Sequence, residues 1–139
     1  AIARICPERL VLGADQTLDD GSGAVLHKAQ SRAEARIHLQ RLRGRRHQLH
    51  SAAVLMRDDS IIWTHVASAA LVMRAFSDAF LEAYLDRLPD AVLSSVGCYQ
   101  IEGLGAQLFD TFDGDPFTIQ GLPLLPLLAA LRTAGVVAS

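Results

Sequence analysis

The sequence is poor in several residue types whose abundance would mark particular classes of protein. Its two cysteines, Cys6 and Cys98, form no C-x-x-C pattern, so we expect reduced thiols in a cytoplasmic protein rather than a disulfide framework. One Trp, two Tyr and five Phe leave the core mainly to aliphatic side chains. The formal net charge of -2 provides no broadly basic surface. We therefore expect neither nucleic acid nor an anionic membrane as a partner.

Long apolar runs and nucleotide-loop motifs are also missing. The opening "AIARICPERL" contains two arginines and a proline, so it lacks the apolar segment that a signal peptide needs. The longest apolar stretch, "GLPLLPLLAALRTAGVVAS", is interrupted by two prolines and Arg132, which favours a packed helix over a membrane span. The sequence contains no G-x-G-x-x-G dinucleotide loop and no P-loop, which removes two common nucleotide-binding architectures.

The residues that are present have the composition of one globular domain. Half of the 139 residues are apolar and 20% are charged, which suits a single packed core. The predicted elements follow the order strand, strand, helix, strand, strand, helix, strands, helix. This order indicates a mixed α/β domain with a largely antiparallel sheet flanked by helices.

The first predicted unit is a β-hairpin. The apolar run 10–12 predicts a short buried strand, followed by a turn that holds Asp15. Asp20-Gly21 and Ser22-Gly23 supply the glycines that hairpin turns require, so residues 24–28 are the predicted return strand. That strand would bring Lys28 back toward the level of Asp15.

Two capped helices are predicted on either side of a long central hairpin, whose turn is the sequence "DDS" at 58–60. Ser31 forms a capping box with Glu34, and Gly44 ends this helix. Its predicted inward residues are Ala35, Leu39 and Leu42. Ser77 caps the second helix, which a proline at position 89 stops.

In the last third of the chain, glycines interrupt the pattern repeatedly. We predict short strands broken at these glycines, including one over "YQIE", where Glu102 alternates with Ile101. Pro123 then begins a last helix with Gly135 as its C-cap. Its predicted inward residues are Leu124, Leu127, Leu128 and Leu131.

Three charged residues are candidates for chemistry. Asp15, followed by Gln16, could bind a divalent metal or activate water, although an aspartate in this position could equally cap a turn. Lys28 is the single lysine of the chain and could meet phosphate oxygens, pair with Asp15 or lie on the surface. Glu102 precedes a Gly-Leu-Gly sequence and could accept hydrogen bonds from a base, or sit on a rim.

The remaining histidines, serines and cysteines give weaker signals. His47 and His50 are three apart in a predicted strand, so they point to opposite faces and make a poor metal pair. We expect a packed or hydrogen-bonded histidine there. Ser51 lies in no G-x-S-x-G elbow, and Cys98 has no base nearby in sequence, so nucleophilic catalysis has little support.

Read together, the motifs resemble the Maf family of nucleoside triphosphate pyrophosphatases. The similar pieces are "VLGADQT", "HK" before a capped helix, "LRGRRHQLHSAAVL", "MRAFSDAFLEAYL" and "GCYQIEGLGAQLFDTFDGDPFTIQGLPL". The resemblance covers the chain from about Leu10 onward, and its specificity lies in the order and spacing of these pieces.

The resemblance implies an elongated α/β fold with a central cleft. The implied reaction is hydrolysis of a nucleoside triphosphate to the monophosphate and pyrophosphate with a divalent metal, Mg or Mn. Asp15 would be the catalytic acid and metal ligand, and Lys28 would meet the phosphates. Gln16, Glu102 and Arg74 would bind the substrate.

Two positions bear on the base. Gln16 after the aspartate and Glu102 in "EGLG" are similar to the branch that acts on 7-methylguanosine triphosphate, while the sister branch for dTTP and UTP usually carries Thr and Gln there. Alternatives that stay open are the sister-branch activity, a non-catalytic nucleotide-binding or regulatory module linked to cell division, and a hydrolase that uses Cys98.

One departure from the family pattern concerns the N-terminus. The serine- and arginine-rich "SxSPRR" loop that opens family members does not occur in this sequence. We therefore expect residues 1–139 to be a single, N-terminally truncated Maf-like domain. Truncation would expose a sheet edge, which is compatible with a homodimer.

Overall fold

A computed structural model describes residues 9–87, 93 and 95–138. These residues form a five-stranded, fully antiparallel sheet with the strand order β2-β1-β3-β4-β5. The strands are β1 (Leu10–Asp19), β2 (Val25–Leu26), β3 (Arg46–Arg57), β4 (Ser60–Met73) and β5 (Phe109–Asp113). The described helices are α1 (Arg32–Leu42), α2 (Asp78–Arg87), α3 (Pro116–Ile119) and α4 (Leu124–Thr133). The predicted mixed α/β class and antiparallel sheet are confirmed.

The first strand is longer than the sequence predicts. A turn at Asp15 is wrong: β1 continues through this residue and pairs with β3 over its whole length, from Leu10 opposite Arg57 to Asp19 opposite Gln48. Pairing with a long neighbouring strand overrides the local turn signal. The predicted hairpin forms further on, although its return strand β2 is only two residues long.

The main core lies between the sheet and the first two helices. Leu18 and Leu49 of the sheet and Leu39 of α1 are almost completely buried, and Leu81 of α2 belongs to the same cluster. The predicted inward residues of α1 are all buried, together with His38. The end of the second helix, at Leu88 and Pro89, lies outside the described residues.

Both helix caps form as predicted. The Ser31 hydroxyl accepts from the Glu34 N–H at 3.2 Å, and the Ser77 hydroxyl accepts from the Phe80 N–H at 3.1 Å. The Glu34 carboxylate reaches back to the N–H of Gln30 at 2.7 Å, one residue earlier than in a standard capping box.

Ion pairs between α1 and α2 follow from antiparallel packing. The arginines of α1 and its C-terminal flank meet acids of α2 in reverse order: Arg32 with Asp86, Arg36 with Glu82 and Arg43 with Asp78. All of these pairs are at least partly exposed, so each contributes little, about 0–1 kcal/mol.

The segment around Glu102 is not a strand, and this prediction is wrong. The Gly103 N–H donates to the Gln100 carbonyl at 3.2 Å to close a turn, and a 3-10 helix follows over Leu104–Leu108. A Cβ on Gly105 would lie 2.4 Å from the Gln100 carbonyl oxygen. This close approach requires glycine and folds the segment back on itself.

The C-terminal helix α4 begins after Pro123, as predicted. It buries Leu127 fully, whereas the other three predicted inward leucines are only half-buried. Gly135 has a φ of +71°, which suits its predicted place at the helix end. Among the residues described, no helix has both the length and the apolar character required to cross a membrane.

Candidate active site

A cavity of about 290 Å³ brings together residues that are distant in sequence. Its lining includes Asp15 and Gln16 from β1, Lys28 after β2, and Glu102 from the turn before the 3-10 helix. Four of the five predicted site residues therefore lie around one space. Two parts of the fold place them there: the long first strand and the glycine-dependent turn at 100–105.

Asp15 supplies an exposed carboxylate to this cavity. Its Oδ1 accepts a hydrogen bond from the Gln16 N–H at 2.8 Å. Because β2 pairs only with Leu18 and Asp19, this part of β1 has no strand partner on that side among the described residues. The carboxylate is thus held beside an open strand edge, where substrate or water can reach it.

Gln16 is held more firmly than its neighbour. Its Nε2 has three acceptors within hydrogen-bond distance, which share its two hydrogens: the Ser51 hydroxyl at 2.9 Å and the carbonyls of Thr118 and Ile119, both at 3.0 Å. Ser51 is fully buried and lies directly opposite Gln16 on β3. The side chain therefore bridges the sheet and the C-terminal end of α3.

Lys28 and Glu102 are both exposed at the cavity. The hairpin returns Lys28 to the neighbourhood of Asp15, as its spacing predicts. Glu102 arrives by a different route from the predicted one, because a turn rather than a strand carries it. A cation and two acids at one cavity can neutralise phosphate charge and handle a proton.

Arg74 lies apart from this cavity lining. Its Nε donates to the Gln107 carbonyl at 2.5 Å, and its guanidinium stands 4.4 Å from the centre of the Phe80 ring. These contacts tie the end of β4 to the 3-10 helix and to α2. Its assignment to substrate binding stays a prediction.

His47 is the packed histidine that the sequence predicts, and it lies behind the cavity. Its ring is fully buried, and Nε2 is 2.8 Å from the hydroxyl of Tyr99, a cavity-lining residue. Burial lowers the pKa of His47 from 6.5 to about 4. His47 is therefore neutral at physiological pH and supports the Tyr99 ring without adding charge.

Cys98 does not have the properties of a nucleophile. The thiol is fully buried, and burial raises its pKa to about 11. A reactive cysteine needs access and a lowered pKa. The alternative of a hydrolase that uses Cys98 thus loses its physical basis.

The donor set fits a hard cation that binds together with a substrate. Within residues 9–87, 93 and 95–138, no group of three or more His, Cys, Asp and Glu side chains is arranged to hold a metal by itself. Asp15 and Glu102 are the carboxylates of the cavity lining. Mg²⁺ commonly uses one or two carboxylates plus substrate phosphates and water.

Sequence reasoning missed several contributors to the site. Ser51 belongs to no recognisable sequence motif. Its contact with Gln16 depends on the pairing of β3 with β1, which no local sequence pattern reveals. Gln120 and Gly121 also line the cavity, and neither was among the predicted site residues. The "DP" pair at 115–116, a helix-start signal, could have indicated the short α3 that holds this side of the site.

The chain belongs to the family described as Maf-like protein. The sequence profile of that family matches residues 1–134. The predicted family resemblance is confirmed.

Individual relatives carry two kinds of name. The chain is 46% identical over 136 residues to the 7-methyl-GTP pyrophosphatase of Rhizobium meliloti, which covers 98% of this chain and 68% of that protein. It is 53% identical over 131 residues to the Mesorhizobium japonicum protein of the same name, covering 94% and 65%. It is also 53% identical over 135 residues to the nucleoside triphosphate pyrophosphatase of Rhodospirillum rubrum, covering 96% and 65%. The chain thus spans about two thirds of the length of these curated relatives.

Proposed function

We propose that the protein is a nucleoside triphosphate pyrophosphatase whose substrate is 7-methylguanosine triphosphate. The observation that carries this proposal is the convergence of Asp15, Gln16, Lys28 and Glu102 on one cavity. Relatives named 7-methyl-GTP pyrophosphatase support the choice of substrate. Relatives with the broader name support the reaction class alone.

In the proposed reaction a water oxygen attacks the α-phosphorus. Asp15 accepts the proton of this water, and the bond from the α-phosphorus to the bridging oxygen breaks, so pyrophosphate leaves. The Lys28 ammonium lies against the phosphates and offsets the charge that accumulates on them. Glu102 accepts hydrogen bonds from the base at the other end of the cavity.

We propose Mg or Mn as the divalent cation, held by the Asp15 carboxylate together with phosphate oxygens. Such an ion supplies charge neutralisation at the phosphates and lowers the pKa of bound water. One Asp15 oxygen is committed to the Gln16 N–H, which fixes the direction in which the other faces.

Pyrophosphate release from 7-methyl-GTP, GTP, dTTP and UTP, with magnesium or manganese, tests this proposal. Asp15→Asn should lower turnover by about 100-fold or more, the usual range for loss of a general base. Asp110→Asn changes an exposed aspartate on β5 and should leave turnover unchanged. Full turnover in Asp15→Asn would contradict the proposed mechanism. A preference for dTTP or UTP would contradict the proposed substrate and favour the activity of the sister branch.

The second candidate is a nucleotide-binding module without catalysis. Tight nucleotide binding without pyrophosphate release would support it. The proposed cytoplasmic location and homodimer are independent of this choice, and sedimentation of the pure protein tests the dimer.

A further inference from the structure

We propose that Tyr84 is a positioning residue, whose hydroxyl holds the turn at Gly97 and Cys98 in a left-handed conformation and thereby sets the cavity wall formed by residues 95–96 and 99–102. The inference rests on the proposed function for the ligand of that cavity, a nucleotide. Its structural part depends only on the contacts of the turn.

The cavity wall lies on both sides of this turn. Residues 95–96 and 99–102 all line the cavity, whereas Gly97 and Cys98 do not. Nearly half of the described residues that line the cavity belong to this wall. The direction of the chain at Gly97 and Cys98 therefore decides whether the two parts of the wall face the same space.

The turn has an unfavourable backbone conformation. Gly97 and Cys98 have φ values of +79° and +60°, and the Cys98 N–H closes the turn by donating to the Ser95 carbonyl at 3.2 Å. Positive φ costs glycine little, but it brings the Cβ of other residues close to the backbone. Within the described ranges, the other non-glycine residue with positive φ is Asp58, of a type that tolerates this region. Cys98 therefore needs contacts that hold it.

Tyr84 of α2 supplies such a contact. Its hydroxyl donates to the Cys98 carbonyl at 3.2 Å, and the two residues are only 4% and 0% exposed. Burial raises the pKa of Tyr84, so the hydroxyl keeps its proton and remains a donor. Because water has little access, removing the hydroxyl would leave a buried carbonyl without this partner. The hydrogen bond therefore stabilises the observed direction of the carbonyl and, with it, the turn.

Packing around the turn limits how it can adjust. A Cβ on Gly97 would lie 2.6 Å from the Tyr99 ring and 2.7 Å from the Leu18 side chain. The Tyr99 hydroxyl is 2.8 Å from Nε2 of the buried His47, so residue 99 is tied to the sheet while Cys98 is tied to α2. A change of Cys98 to negative φ would redirect the chain before Tyr99 and alter the cavity wall.

Substitutions that separate the hydroxyl from the backbone strain test this role. Tyr84→Phe removes the hydroxyl and keeps the ring. Cys98→Gly and Cys98→Ala both remove the buried thiol, but only glycine adopts positive φ without steric cost. If Tyr84 acts through the backbone of the turn, Cys98→Gly should make its hydroxyl dispensable, and the matched control Cys98→Ala should not.

The probe is α,β-methylene guanosine triphosphate, an analogue that cannot release pyrophosphate. Calorimetry measures its dissociation constant for each variant of the 139-residue chain, at a temperature where circular dichroism shows the variant to be folded. Tyr84→Phe should bind about fivefold more weakly than the unaltered chain, the effect of losing one hydrogen bond. The same change should have less than about a twofold effect in a Cys98→Gly background and about the full fivefold effect in a Cys98→Ala background.

A purely structural role for Tyr84 predicts a different result. Loss of its hydroxyl would then lower the stability of the protein and leave binding by the folded chain unchanged in every background. Unchanged binding in Tyr84→Phe would overturn the proposal and leave the proposed function intact. Equal losses of binding in the Cys98→Gly and Cys98→Ala backgrounds would do the same.

A second measurement needs no ligand. Three-bond NMR couplings of the Cys98 N–H report its φ, which should be positive in the unaltered chain and shift toward the negative region in Tyr84→Phe. A fully retained positive φ would overturn the role of Tyr84. If the unaltered chain binds no nucleotide, the proposed function fails, and this measurement alone decides whether Tyr84 holds the turn.

Discussion

At the scale of single residues, Gln16 shows how one side chain serves both the fold and the site. Its nitrogen donates to the carbonyls of Thr118 and Ile119 at the end of α3. The same residue lines the cavity. Replacing the nitrogen alone tests the structural task, since an isosteric change removes the donor and keeps the size of the side chain.

Gln16→Glu should destabilise the protein by about 1–3 kcal/mol, because a carboxylate oxygen would face the Thr118 and Ile119 carbonyls. Denaturant unfolding measures this free energy. Gln100→Glu is the same chemical change at an exposed residue of the same cavity, and it should cost less than about 0.5 kcal/mol. Equal losses in the two variants would show that the amide nitrogen has no special partners.

A second residue-scale test concerns the turn that carries Glu102. Gly105→Ala would place a Cβ 2.4 Å from backbone, whereas Gly103→Ala would place one 3.9 Å from the same carbonyl oxygen. Steric overlap of this kind costs about 1–3 kcal/mol. We expect thermal unfolding to show a clear loss for Gly105→Ala and a small change for Gly103→Ala, with weaker nucleotide binding in the first alone.

At the scale of secondary structure, α3 has only four residues and depends on its cap. The Asp115 carboxylate accepts from the Thr118 N–H and hydroxyl, both at 2.9 Å. This cap orients the two carbonyls that hold Gln16. Loss of the Asp115 cap should therefore weaken nucleotide binding as well as lower the stability of the protein.

Asp115→Ala should cost about 1 kcal/mol of unfolding free energy, the usual value of an N-cap, and should weaken nucleotide binding. Ser31→Ala removes an equivalent cap from α1, away from the cavity lining, and should lower stability by a similar amount with unchanged binding. Denaturant unfolding and calorimetry on both variants separate these effects. Equal losses of binding in the two variants would mean that binding depends on global stability rather than on the conformation of α3.

Sequence patterns predicted these elements to different degrees, for physical reasons. Helices α1 and α2 were predictable because their caps and apolar faces are local signals. The extent of β1 was not, because its pairing with β3 outweighs the Gly13 and Asp15 turn signals. The site was predictable as a set of residues, through Asp15, Lys28 and Glu102. The contact between Ser51 and Gln16 was not, since it depends on cross-strand register.

At the scale of the whole molecule, two buried titratable groups should govern stability in acid. Asp20 is 7% exposed, and hydrogen bonds from the Ser22 side chain and N–H, aided by Arg41, lower its pKa to about 2. His47 is buried and neutral, with a pKa lowered to about 4. Because both pKa values are lowered in the folded protein, protonation of either group in acid reduces the free energy of unfolding. The two losses occur over different ranges of pH.

The two ranges follow from linkage between protonation and folding. The unfolded chain takes up a proton on histidine near pH 6.5, whereas folded His47 resists it until about pH 4. The contribution of His47 is therefore complete above pH 6.5 and is lost as the pH falls toward 4. That of Asp20 is complete above about 3.8 and is lost as the pH falls toward 2. Unfolding in acid should begin with the histidine.

His47→Gln tests this order, because glutamine can still bond to Tyr99 but cannot titrate. The unaltered chain should lose up to about 3 kcal/mol of unfolding free energy between pH 7 and pH 4.5 through His47, measured by denaturant unfolding at several pH values. His47→Gln should be less stable at pH 7 and nearly flat over this interval. His50→Gln, on the opposite face of β3, retains His47 and should keep the slope. A full slope in His47→Gln would assign the acid sensitivity to other groups and leave burial of His47 without thermodynamic consequence.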